Sequence, residues 1–139
     1  MVKEQTENEL KKAYLKGFER AVRQMNRFEE RIKEIRDSRM SISVASDGMP
    51  HAHNTNDLSS YAAMLDQELS RYLKARYERD MKCKEIRDKI ERLDNEDEKD
   101  VLTYRYIKLM KWEDICSAMH HSWQHVHRIH AKALKNFKM

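Results

Sequence analysis

The chain has 139 residues, 37% of them charged, with two glycines, one proline, two cysteines and a formal net charge of +4. So few turn formers exclude a fold of many short strands and suit long helices. Cys83 and Cys116 stand alone, which excludes a disulfide framework or a C-x-x-C knuckle; with no secretory segment and no apolar run of membrane-spanning length, a cytoplasmic protein with no membrane partner is expected.

Tyr14, Phe18, Ala21, Met25, Phe28, Ile32 and Ile35 alternate spacings of four and three, the apolar seam of a coiled coil, and predict a helix from about Glu7 to Asp37. At ~1.5 Å per residue it would extend roughly 45 Å, too thin to hold a core of its own. It needs a partner helix. The segment Ser38 to Asn56 then breaks the pattern with Ser, Asp-Gly, Met-Pro and His-Ala-His-Asn-Thr-Asn, and reads as a mobile connector. His51 and His53 lack a Cys or carboxylate at ligand spacing and are read as loop residues.

Asn56 or Asp57 is expected to cap a second long helix running to about Leu93. Its seam is Leu58, Ala62, Leu65, Leu69, Tyr72, Arg76, Arg79, Cys83, Ile86, Ile90 and Leu93. Folded back as an antiparallel hairpin with Ile35 opposite Ala62, the register sets Ala21 across from Arg76, Phe18 across from Arg79 and Tyr14 across from Cys83. Arginine stems would then lie along the seam with their heads in water. Residues 1–93 are thus expected to form one coiled-coil hairpin able to fold by itself. The alternative is a parallel homodimeric coil for each helix, and Tyr61, Leu73 and Tyr77 leave surface for a homo-oligomer.

Asp94 to Asp100 holds five acids in seven residues, which reads as a hinge and as the capping region of a helix starting near Glu98. In residues 94–139, Val101, Leu102, Tyr104, Ile107 and Leu109 supply one apolar face, Ile115, Ala118 and Met119 a second, and Val126, Ile129, Ala133, Leu134 and Phe137 a third. His120-His121-Ser122 interrupts the last two, and Ser122 can cap the final helix. That is helix-turn-helix spacing. The whole is expected to be all-α: a long antiparallel helical hairpin followed by a C-terminal helix-turn-helix domain.

Charge points the same way. Beyond Asp114 there is no acidic residue, while Arg128, Lys132, Lys135 and Lys138 are basic and five histidines (His120, His121, His125, His127 and His130) stand among them. An acid-free basic helix after a tight turn suits double-stranded DNA, because neutralising phosphates releases counterions. Ser122, Trp123, Gln124, His127, Arg128 and Ala131, at the start and outer face of the last helix, are expected to face the major groove; Lys132 and Lys135, with Lys111 and Trp112, are expected at the backbone. Gln124 could read adenine and Arg128 guanine. Lowering the pH should charge the histidines beside the phosphates, His127 foremost, whereas His130 reads as a packing residue.

Arg105-Tyr106-Ile107, Trp112-Glu113-Asp114-Ile115, Ser122, Val126, Arg128-Ile129-His130 and Ala133-Leu134 resemble, in that order, region four of bacterial sigma factors, and more closely the small phage and prophage regulators of the RinA and ArpU type. Ser46-Asp47-Gly48-Met49-Pro50-His51 resembles a short loop motif of the same proteins. The resemblance implies a DNA-binding transcriptional regulator of phage or prophage origin that also touches RNA polymerase. Nothing resembles a promoter-melting region, so a stand-alone sigma role is not implied. Two departures stand in the turn: His120 replaces the usual Gly and His121 an apolar residue. A non-Gly residue at a left-handed position carries strain, less for His than for bulkier types.

The histidines point around the last helix rather than to one side, so no metal is expected. No cofactor fingerprint, P-loop or nucleophile–base spacing appears, so no enzymatic activity or cofactor is expected. The rival reading is a phage packaging or assembly subunit that grips DNA and oligomerises through its coiled coil. A coiled-coil adaptor indifferent to DNA is a third.

Overall fold

The structure, a computed structural model, describes residues 2–45 and 55–139, with side chains for 2–38 and 58–139. Its elements in order are α1 (Val2–Leu15), α2 (Gly17–Ala45), α3 (Thr55–Glu91), α4 (Glu96–Leu102), a π-helical turn (Thr103–Ile107), α5 (Trp112–Met119) and α6 (Trp123–Asn136). There is no strand among the described residues, so the protein is all-α. None of these helices is long and apolar enough to cross a membrane.

The first helix starts earlier than Glu7 and runs on past Asp37 to Ala45, because no glycine or proline interrupts residues 38–45. It is also broken, at Lys16. The Ala13 carbonyl oxygen, which a regular ladder would offer to the Gly17 N–H, accepts from Arg20 Nη2 at 3.0 Å. The loop motif from Ser46 to His51, together with His53 and the caps Asn56 and Asp57, lies outside the described residues or side chains.

The chain divides into two compact units, one of residues 1–21 and 79–139, the other of residues 22–78. In the first, Leu15, Ile86, Ile90, Leu93, Val101, Leu102, Tyr106, Ile107, Ile115, Val126, Ile129, Ala133, Leu134 and Phe137 are buried in one cluster. The boundary expected between 93 and 94 falls inside that cluster. Leu15 and the end of α3 therefore belong to the same core as α4 to α6. Between α1 and α3, Tyr14 donates from its hydroxyl to Glu85 and accepts from Lys89 Nζ at 2.7 Å, and both Tyr14 and Cys83 pack against the core. The Lys82 and Lys89 ammonium groups flank the Tyr14 ring at 4.5 and 4.4 Å. Gly17 is buried beside this cluster, where a Cβ would come within 2.7 Å of Lys82 Cε.

The second unit is thinner. Met25, Ile32 and Ala75 are its buried apolar residues among those described, and a cleft is lined by Gln24, Phe28, Arg71, Lys74, Ala75 and Glu78. Arg76, expected on the seam, is exposed, and Ala75 takes the buried place. A methyl side chain lets two backbones approach where an arginine stem would have to be bent aside. Leu58 is exposed as well, and so are Leu73 and Tyr77.

In the C-terminal elements the expected faces are met in α6, where Val126, Ile129, Ala133 and Leu134 are buried, as is Phe137 just beyond. They are only partly met before it. Tyr106 is in the core and Leu109 is out of it, because Thr103–Ile107 is wound as a π turn, with Lys108 N–H bonded to the Thr103 carbonyl at 2.9 Å. One extra residue per turn rotates the apolar face. Leu109 then reverses the chain at φ 54°, a strained value for a branched residue. In α5, Ile115 is buried and Met119 packs against the core, but Ala118 is exposed.

Candidate functional site

Helix α5 ends at His120, which adopts left-handed φ 55° and ψ 40°. The strained turn position inferred from the sequence is thus occupied by an imidazole. His121 N–H then bonds back to the Cys116 carbonyl at 3.2 Å, and Ser122 opens α6 by accepting from His125 N–H on its hydroxyl at 3.2 Å. These contacts satisfy backbone groups that a helix end leaves without partners. At its far end α6 is held by Lys11, whose ammonium donates to the Leu134 and Lys135 carbonyls at 2.8 and 3.2 Å. A cation is favourable there, at the negative helix terminus. Asn136 donates to both carboxylate oxygens of the buried Glu98, at 3.0 and 3.2 Å.

The outward side of α6 carries Gln124, Arg128, Ala131, Lys132 and Lys135, all exposed, with Ser122 and Trp123 at its head and Lys111 exposed just before α5. Among the described residues, Arg128, Lys132, Lys135 and Lys138 make no ion pair with an acidic side chain, as expected where the nearest acids in sequence lie before Ile115. The residues singled out for backbone and groove contact are therefore exposed, with two exceptions.

His127 and Trp112 are turned into an aromatic stack. The His127 ring lies 4.4 Å from the Trp112 indole and 4.5 Å from the Trp123 indole, tilted against both. The Arg105 guanidinium covers Trp112 at 4.7 Å and is fixed by donating from Nη1 to the Met110 carbonyl at 3.0 Å. His127 Nε2 is buried with no hydrogen-bond partner among the described residues. That nitrogen is buried beside two indoles, so His127 has a packing role in addition to the phosphate role expected of it. Spacing held a signal for this: Trp123 and His127 are four apart on one helix, where side chains meet.

His130 is buried, as its position four residues after Val126 implied. The Tyr106 hydroxyl meets His130 Nε2 at 2.8 Å, and Trp112 packs edge-on at 4.8 Å. Burial pushes the imidazole down to about 4, helped by the charges of Lys12 and Arg105 and by His127, while burial raises the Tyr106 phenol to about 12. The phenol therefore keeps its proton and His130 is neutral, so the two share one hydrogen bond whose donor is set by the imidazole tautomer. His121 and His125 meet edge to face at 4.5 Å. No group of three or more metal-ligating side chains converges among the described residues.

No curated protein and no solved structure matches the chain. The family described as "Protein of unknown function (DUF1492)" matches residues 64–138, which is 75 of the 139 residues and includes α4, α5 and α6 together with most of α3. With more than half of its length inside that match, the chain belongs to this family.

Proposed function

We propose that the protein is a DNA-binding transcriptional regulator of phage or prophage type, with α5 and α6 as a helix-turn-helix like that of sigma region four and of the RinA and ArpU regulators. The observation that carries the reading is the surface of α6: an N-capped helix behind a three-residue turn, free of acids, presenting Gln124, Arg128, Lys132 and Lys135 together. A helix of that kind fits a major groove, with its first turn at the base edges and its later lysines at phosphates. A contact with RNA polymerase follows from the resemblance alone.

The test is DNA titration on a site selected from random sequence. Arg128→Ala should lower specific affinity by roughly 1 to 3 kcal/mol, the range for a bidentate base contact. Lys132→Ala should weaken all sequences alike and reduce the salt slope by about one phosphate contact. Specific affinity untouched in Arg128→Ala would overturn the groove-facing assignment. A second reading, a DNA-gripping assembly subunit, is favoured by exposed Leu73 and Tyr77 on α3; ring-shaped oligomers in solution would select it.

A further inference from the structure

We propose that Trp123 reads the 5-methyl group of a thymine in the major groove, and that Arg105, Trp112 and His127 form the positioning stack that holds its indole for that contact. The inference rests on the DNA-binding reading and names what one residue of that surface recognises.

Trp123 is the first residue of α6 and is 52% exposed, so a large apolar ring stands open on a surface that is otherwise polar and basic. One side of it is held by a ring contact. His127 packs against it at 4.5 Å, Trp112 backs His127 at 4.4 Å, and the Arg105 guanidinium closes the row at 4.7 Å. The row ties the π turn, the start of α5 and the start of α6 together, so the indole is restrained before any ligand arrives. Pre-ordering of this kind removes the rotamer entropy that a free side chain loses on binding.

His127 is the informative member. Its Nε2 is buried and unpartnered, so hydrogen bonding on that nitrogen does not explain a histidine there. What the position uses is a small flat ring between two indoles. On the ligand side, residues in the first turn of a groove-bound helix meet base edges, and the apolar feature offered by the major groove is the thymine methyl. A restrained, outward-facing indole at the first helical position matches that feature in chemistry and in place.

The experiment compares a selected DNA site with the same site carrying uracil in place of every thymine, which removes methyl groups and leaves the hydrogen-bonding edges unchanged. The native protein should lose about tenfold in affinity on the uracil site, the lower end expected for one lost base contact. Trp123→Ala should bind the thymine site about tenfold more weakly and no longer distinguish the two. His127→Ala should lose most of the discrimination and His127→Phe should keep it, with thermal melting used to confirm that each variant is folded. Equal native affinity for both sites overturns the methyl contact while leaving DNA binding intact. A Trp123→Ala loss that is the same on both sites overturns it too, and His127→Phe behaving like His127→Ala overturns the positioning role. Absence of binding to any duplex would instead defeat the DNA-binding reading itself.

Discussion

In residues 1–21 and 79–139, fourteen apolar side chains are buried in one cluster, whereas among the described residues of 22–78 only Met25, Ile32 and Ala75 are. Both units draw on the same helices, α2 and α3, and on seams with the same spacing of threes and fours. What separates them is a further layer. In the first unit Ile86, Ile90 and Leu15 are covered by α4 to α6; in the second, the described residues belong to α2 and α3 alone. A heptad seam therefore specifies a face, and the depth of burial is set by how many elements share it.

The largest test of this difference is truncation of matched residues. Leu15→Ala should cost about 2 to 5 kcal/mol, because a fully enclosed site leaves a cavity, while Met25→Ala should fall at or below the bottom of that range, because a two-helix layer can relax. Trp112 and Trp123 both lie in the first unit, so their emission reports that unit during urea unfolding, with far-ultraviolet circular dichroism following all helices together. Equal losses from the two substitutions would break the comparison.

Acid should separate the units next. The His130 value is lowered to about 4 from 6.5, so between these limits the unfolded chain binds a proton that the folded one refuses. The stability this confers is present above about pH 6.5 and is lost as pH falls toward 4, by up to about 3 kcal/mol. Tryptophan-detected unfolding at pH 7 and pH 4.5 measures it, and His130→Gln should flatten the dependence. A native midpoint insensitive to pH would show that His130 is charged in the fold.

The smallest expected effect sharpens the comparison at the turn. His120→Gly relieves a left-handed residue and should stabilise the first unit by about 1 kcal/mol, read as a raised urea midpoint. No gain would mean that the imidazole offsets its own strain.

The seam of the first helix was legible residue by residue: Tyr14, Phe18, Ala21, Met25, Phe28, Ile32 and Ile35 are all buried or half-buried. So were the inner face of α6, the Ser122 cap and the left-handed position of His120. Leu15 was not, because it lies beside the seam and packs against elements that follow more than 60 residues later; periodicity names a face but not its partner. Leu109 and Tyr106 exchanged places because a π turn changes the period itself, and nothing in T-Y-R-Y-I announces one. On the candidate surface, the exposed residues followed from helical spacing and absence of acids. The stack escaped because Trp112 and His127 come from different helices, and their meeting depends on the turn between them.

Lys11 donates to the Leu134 carbonyl across 123 residues of sequence. At a synthesis rate of about 5 to 20 residues per second, the ribosome takes roughly 6 to 25 s to deliver the acceptor after the donor has been made. Early in that interval, before Ile86 and Ile90 are made, Leu15 lacks the core residues it packs with, and the α6 part of that core comes last. Assembly of the first unit is thus timed by translation of its last helix, so α6 cannot acquire its lysine anchor and its supporting core until almost the whole of this sequence has been made.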